Sequence, residues 1–142
     1  MYKDKSTTTG LAAAGVIPFA ALAIAVALGI ETDWARSAFC LYGAVIAAFM
    51  AGTIWTQAQV HHVRTMQFLV LSNIAALAAF GSLLIPGRVG VTLVIQMIAF
   101  ALLLWCDHVL YRQGHQPGWY FVLRRNITIA VEATFVLMLI VA

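Results

Sequence analysis

Charged residues are scarce in this sequence of 142 residues. Lys, Arg, Asp and Glu together make up 9% of the chain, whereas hydrophobic residues make up 63%. A water-soluble domain of this length cannot hide so much apolar surface, so the composition predicts a protein in contact with the lipid bilayer. The eight basic residues form no dense run, which argues against nucleic-acid binding.

Cysteines and familiar catalytic motifs are sparse as well. The two cysteines, Cys40 and Cys106, are too few and too far apart for a disulfide framework. The sequence has no Ser-His-Asp order, phosphate-binding loop, dinucleotide-binding glycine pattern or zincin motif. These absences favour a protein that is not an enzyme, and they point to no particular cofactor.

Long apolar runs dominate the chain. Five of them reach the roughly 20 residues that a helix needs to cross a bilayer. Their approximate boundaries are residues 10–29, 38–57, 66–85, 89–109 and 123–142. The short segments between them predict antiparallel neighbours. We therefore predict an all-α protein, a single five-helix membrane bundle over residues 1–142.

The basic residues predict how such a bundle is oriented. Five spans place the termini on opposite sides, and six of the eight basic residues fall on the side of the N-terminus: Lys3, Lys5, Arg64, Arg112, Arg124 and Arg125. By the positive-inside rule the N-terminus is inside and the C-terminus outside. The expected location is the bacterial inner membrane or, alternatively, the mitochondrial inner membrane.

The second span carries a ridge of small side chains. Gly43, Ala47 and Ala51 recur every four residues up to Trp55, so they lie on one side of a helix. Small residues allow another helix to approach closely, and we expect this ridge to pack against a neighbour. We expect a second packed face around Pro18 in the first span, because proline leaves one backbone carbonyl unpaired.

An acidic residue lies well inside the fifth span. Glu132 is eight residues past Arg124, about 12 Å along the helix axis, with Thr128 one turn before it. An acidic group near the centre of a span costs about 2.5–3.5 kcal/mol. Glu132 is therefore either a proton or cation site of a small transporter or channel, or a protonated carboxyl group bonded to Gln96, Thr128 or another span.

Asp107, near the inner end of the fourth span, has three arginines within reach: Arg112, Arg124 and Arg125. We interpret it as half of an interfacial ion pair that fixes the turn between the last two spans. The same arginines also suit an anionic lipid head group.

Histidines collect at the same end of the predicted bundle. Three of them, His61, His62 and His108, are candidate ligands, because histidines on different spans can bind a transition metal or haem. The sequence has no HxxxH or CxxC spacing that would support such a site. Histidines are ordinary at a membrane interface, and the sequence favours that interpretation over a metal or haem site.

Three stretches of the chain occur in an order and spacing typical of a known family. They are residues 15–19 (GVIPF), residues 42–55 (YGAVIAAF through Gly52 to Trp55), and Asp107 followed by residues 117–120 (PGWY), Leu123, Arg124 and Thr128. Together they resemble DUF3429, a family of small multi-span membrane proteins found in bacteria, with a mitochondrial transmembrane relative in animals. The resemblance implies a five-span inner-membrane protein and brings no biochemical activity with it.

Three functions fit these observations. We expect a non-enzymatic accessory or assembly partner of a larger membrane complex, in contact with lipid and with other membrane-protein subunits. One alternative is a small proton- or cation-coupled transporter that uses Glu132. Another is a membrane protein that handles haem, quinone or metal.

Overall fold

A computed structural model describes residues 4–62 and 64–142, and these residues form five α-helices and no strand. The helices are α1 (Lys5–Ala27), α2 (Thr32–His61), α3 (Thr65–Ser82), α4 (Val89–Arg112) and α5 (Gly118–Val141). The all-α fold predicted from the sequence is therefore confirmed. Lys3, one of the basic residues used to predict orientation, lies outside the described residues.

Four of the helices in the described part of the chain, α1 to α4, are long and apolar enough to cross a membrane. This agrees with a helical membrane bundle. The remaining helix, α5, has 24 residues and carries three charged residues, Arg124, Arg125 and Glu132. Its apolar surface is therefore interrupted on one part of its circumference.

The second helix is longer than the apolar run that predicted it. With 30 residues, α2 is about 45 Å long, whereas the hydrocarbon core of a bilayer is about 30 Å thick. It begins at Thr32, so Asp33 and Arg36 lie in its first turns and form an ion pair of 3.3 Å. An acidic residue in the first turn is favoured by the helix dipole, which explains this earlier start.

The helices form a ring in chain order, and α2 also packs on α4 across it. Each helix packs on the next, and α5 packs back on α1. One part of the core consists of Phe19, Phe39, Phe100 and Phe135, and five of their ring pairs have centroids 4.8–6.3 Å apart. These rings come from α1, α2, α4 and α5, so a single aromatic cluster joins four helices.

The first helix passes through Pro18 without ending. Pro18 is partly buried, and Tyr42 of α2 donates a hydrogen bond of 2.7 Å to the carbonyl of Gly15. Pro18 cannot bond the neighbouring carbonyl, that of Ala14. A hydroxyl from α2 therefore reaches the α1 backbone where proline weakens the helix ladder.

Candidate functional site

Asp107 and Arg124 form an ion pair inside the bundle. Arg124 Nη2 lies 2.7 Å from Asp107 Oδ2, which links α4 to α5. Asp107 is fully buried and only 8% of Arg124 is exposed. Asp107 is five residues before the end of α4, so the pair lies about 8 Å from that end of the helix. The ion pair expected from the sequence is therefore present between Asp107 and Arg124, a little over one turn inside the end of α4.

A third polar side chain reaches the pair from the loop between α4 and α5. Gln116 Nε2 donates to Asp107 Oδ1 at 2.7 Å. Gly114 adopts a φ of 79°, and the N–H of His115 bonds the carbonyl of Leu110 at 2.9 Å, a Schellman ending of α4. The left-handed residue that this ending requires turns the chain back, which brings Gln116 into the bundle.

The second helix completes this group with Thr53 and Gln57. Gln116 Nε2 also lies 3.1 Å from Gln57 Oε1, and Arg124 Nη1 donates to Thr53 Oγ1 at 3.3 Å. Thr53 and Gln57 are one turn apart and so face the same way. We call Thr53, Gln57, Asp107, Gln116 and Arg124 the polar cluster. It ties α2, α4 and α5 together.

The chemistry of the polar cluster is that of a balanced network. One carboxylate faces one guanidinium, and both make further hydrogen bonds, which is the condition under which buried charges are tolerated. The Thr53 hydroxyl donates to the carbonyl of Met50 at 2.7 Å, so it is not poised as a nucleophile. The polar cluster can hold α2, α4 and α5 in register, and it keeps the side chain of Arg124 in one position.

The structure distinguishes between the three arginines predicted near Asp107. Arg124 pairs with it, whereas Arg125 is exposed and lies 3.4 Å from Asn126 Oδ1. Arg112 is exposed at the end of α4. Consecutive helical residues point about 100° apart, so Arg124 and Arg125 cannot both face α4. Arg112 and Arg125 are therefore not partners of Asp107.

Gln116 is not conspicuous in the sequence. The only local signal for Gln116 is its place in a short loop bounded by Gly114 and Pro117, which are typical of a helix end and the start of the next helix. That signal locates the loop. It does not reveal which of the loop's side chains turns inward.

A second buried polar group, Gln96 of α4, occupies the space beside Gly43. Gln96 Nε2 donates to the carbonyl of Cys40 at 2.9 Å and lies 3.4 Å from Ser82 Oγ. A methyl group at Gly43 would overlap the amide oxygen of Gln96 and lie 3.2 Å from the Phe135 ring. Gly43 therefore leaves the space that the Gln96 side chain fills.

The ridge of small residues is buried, but it does not extend to Trp55. Gly43, Ala47 and Ala51 are all buried in α2, whereas Trp55 is 46% exposed. On a helix with 3.6 residues per turn, side chains four residues apart differ in direction by about 40°. Three steps rotate Trp55 about 120° from Gly43, out of the packed face. Trp55 therefore lies outside the packed face that Gly43, Ala47 and Ala51 form.

The sequence suggested a hydrogen bond between Glu132 and Gln96, and the structure does not contain it. The Gln96 amide is directed at Cys40 and Ser82. Glu132 is partly buried, and within the described chain its Oε1 is buried with no hydrogen-bond partner. Thr128 is also partly buried. Eight residues on a helix amount to about 80° of rotation, so Glu132 and Arg124 face different neighbours.

The candidate metal ligands are not brought together. His61 stacks near His115, with ring centroids 4.7 Å apart, while His108 lies against Phe121. His62 is exposed at the end of α2. Among the residues that the structure describes, no group of three or more His, Cys, Asp or Glu side chains could hold a metal ion.

Comparison with known proteins gives one family. The model of the family described as "Protein of unknown function (DUF3429)" matches residues 5–140. No curated protein and no solved structure matches the chain. Because the matched residues run from the first residue of α1 into the last turn of α5, the chain belongs to the DUF3429 family of proteins of unknown function.

Proposed function

We propose that this protein is a non-enzymatic accessory or assembly partner of a larger complex in the bacterial inner membrane. In this proposal α5 is a fifth span, the N-terminus is inside and the C-terminus is outside. The support for the orientation is the distribution of charge. Five described basic residues lie at or near the end of the bundle where α1 and α5 begin, and only two lie at the other end: Lys5, Arg64, Arg112, Arg124 and Arg125 against Arg36 and Arg88.

The observation that carries the proposal is an exposed amide in the middle of α3. Asn73 lies eight residues after the start of α3 and nine before its end. Its Nδ2 donates to the carbonyl of Leu69 in the same helix at 2.7 Å, while the side chain faces outward. That bond uses only one of the two N–H donors of the amide, and a polar amide in hydrocarbon is costly unless other groups bond the rest of it. A helix from another protein would supply those groups.

The residues around Asn73 form a surface that suits a helix. Met66, Val70, Leu77 and Phe80 are all exposed, and with Asn73 they alternate spacings of four and three along α3. This spacing is the seam of a coiled coil, in which a single asparagine specifies the partner and register. We call these five residues the α3 face. Because α3 packs on α2 and α4, this face is left for a subunit outside the chain.

Replacing Asn73 by Leu is expected to weaken this association. Hydrogen bonds between membrane helices contribute about 0.6–2 kcal/mol, which corresponds to about 3- to 30-fold in the dissociation constant. Membranes from cells that express the wild-type protein are extracted in mild detergent. On native gels the extracted protein should migrate in a complex larger than the single chain. With Asn73→Leu a larger share should migrate as the free chain.

The matched control is Thr56→Val on α2. Thr56 is exposed and bonds the carbonyl of Gly52 in its own helix at 3.0 Å, as Asn73 bonds that of Leu69. The control removes a similar polar group from a different outward face and should leave the complex intact. A wild-type protein that migrates alone, or an Asn73→Leu variant that stays fully in the complex, would contradict the proposal.

A second candidate function is supported by Glu132. Its Oε1 is buried without a hydrogen-bond partner among the described residues, which leaves it able to exchange a proton or hold a cation. If Glu132 carries protons, Glu132→Gln should abolish flux driven by a pH gradient in reconstituted vesicles, because Gln keeps the shape and removes titration. Glu31→Gln, at an exposed position, should not affect it. Equal flux in the Glu132→Gln and wild-type proteins would exclude this function.

A further inference from the structure

A groove with a volume of about 380 Å³ lies between α1, α2 and α5. That volume is within the range of small-molecule sites. Its walls extend from Thr8 to Phe19 on α1 and from Tyr120 to Val131 on α5. Each stretch rises about 16 Å along its helix. This is about half of the roughly 30 Å hydrocarbon core, the depth of one leaflet.

The groove is polar at one end only. Thr8, Thr53, Tyr120 and Arg124 line the end where α1 and α5 begin. Apart from one glycine, every other lining residue is hydrophobic. A molecule that matches this surface has an apolar chain along the groove and a polar head beside Arg124.

Arg124 connects the groove to the polar cluster. A guanidinium has five N–H donors, and the bonds to Asp107 and Thr53 leave donors available on the groove side. The Tyr120 ring lies 6.0 Å from the guanidinium carbon and adds a cation–π contact. Arg124 is thus held in place before any ligand arrives, and its donors suit a phosphate or an ester carbonyl.

The charge around this end of the groove favours an anionic head. Asp107 balances Arg124, and the exposed basic residues Lys5 and Arg125 outnumber the exposed Asp4 at the same end of the bundle. Lys5 Nζ lies 5.7 Å from the centre of the Trp119 ring, which places it next to the start of α5. Clusters of basic residues at a membrane surface attract anionic lipids.

The groove can be entered from the lipid side. Leu11 of α1 and Phe49 of α2 both line it, and both are largely exposed on the outside of the bundle. A lipid chain can therefore slide in laterally between these side chains, without passing through the polar cluster.

We propose that this groove binds one anionic phospholipid of the adjacent leaflet. One acyl chain lies along the groove, and Arg124 donates hydrogen bonds to a phosphate or ester oxygen of the head. The site uses α1, α2 and α5 and not the α3 face. It is therefore independent of the proposed assembly role, and either proposal can fail alone.

The test is native mass spectrometry of the purified protein with added phosphatidylglycerol or phosphatidylcholine. The wild-type protein should retain one phosphatidylglycerol in preference to phosphatidylcholine. Ala12 lines the groove, so Ala12→Phe should fill it and weaken phosphatidylglycerol binding. Loss of contact with about two methylenes corresponds to about tenfold weaker binding. The control is Ala13→Phe, which adds the same ring at the next, exposed position of α1 and should bind as wild type.

A second measurement needs no variant. A phosphatidylglycerol with a photoactivatable acyl chain should label wild-type protein at groove residues such as Met50 and Leu123. Labelling spread evenly over the outward faces would overturn the proposal. Equal retention of the two lipids, full retention by Ala12→Phe, or displacement of the phospholipid by a quinone would also overturn it.

Discussion

Replacing Asp107 by Ala is expected to destabilise the folded bundle by about 3–5 kcal/mol. The substitution leaves the Arg124 guanidinium buried without its counter-charge and removes the acceptor at which Gln116 donates. Removing one partner of a buried pair is costly because the remaining charge keeps its desolvation penalty. The free energy of unfolding, measured by titrating the protein in mild-detergent micelles with a denaturing detergent, is the appropriate measurement.

A double-mutant cycle separates loss of the pair from loss of either side chain. Asp107→Ala combined with Arg124→Ala should destabilise less than the sum of the single substitutions, because neither charge is then left alone. Asp33→Ala serves as the control. It removes the ion pair with Arg36, in which the Asp33 side chain is fully exposed, and should change stability little. Additive effects at Asp107 and Arg124 would show that the pair does not hold α4 against α5.

The helices were more predictable than their ends. Long apolar runs identify helices because the bilayer leaves the backbone few alternatives, and α4 begins at Val89, where its run begins. The ends depend on local chemistry. α2 starts six residues ahead of its predicted span, with Asp33 in its first turn, and α5 starts at Gly118, just after Pro117. Charged and aromatic residues ahead of the apolar run are part of both helices.

The sequence limits which residues can pair with Asp107 in the polar cluster, but it does not show how the members of the cluster come together. The position of Asp107 restricted its partners to three arginines. Choosing Arg124 requires the rotation of α5 against α4, which is set by packing across the whole bundle. Gln116 enters only because the loop after Gly114 turns back on itself.

Gln96 illustrates a second limit of sequence reasoning. From the sequence, Gln96 was a candidate partner for a protonated Glu132 carboxyl group. The acceptor in the structure is the backbone carbonyl of Cys40. Every residue has a backbone carbonyl, so no side-chain pattern marks this one. Only the close approach of α4 to α2 brings it within reach.

That close approach leads to the second large prediction, which concerns Gly43. Replacing Gly43 by Ala is expected to cost about 1–3 kcal/mol of stability. The new methyl group would overlap the Gln96 amide oxygen and come within 3.2 Å of the Phe135 ring. The end of a glutamine side chain can usually swing aside, but here its Nε2 is bonded to Cys40. Moving Gln96 would leave buried polar groups unpaired, so the added methyl group lowers the free energy of unfolding.

Gly52 provides a matched control in the same helix. An added methyl group there has no neighbour within 4 Å, so Gly52→Ala should be neutral or gain up to about 1 kcal/mol from helix propensity. In a Gln96→Ala background, Gly43→Ala should cost much less than in the wild type, because the overlapping amide is gone. The same unfolding titration measures the free energy of unfolding of the four variants. These are Gly43→Ala, Gly52→Ala, Gln96→Ala and the double variant that combines Gly43→Ala with Gln96→Ala. If Gly43→Ala is as stable as Gly52→Ala, or costs as much without Gln96 as with it, then the contact between Gly43 and Gln96 does not set how closely α4 packs on α2.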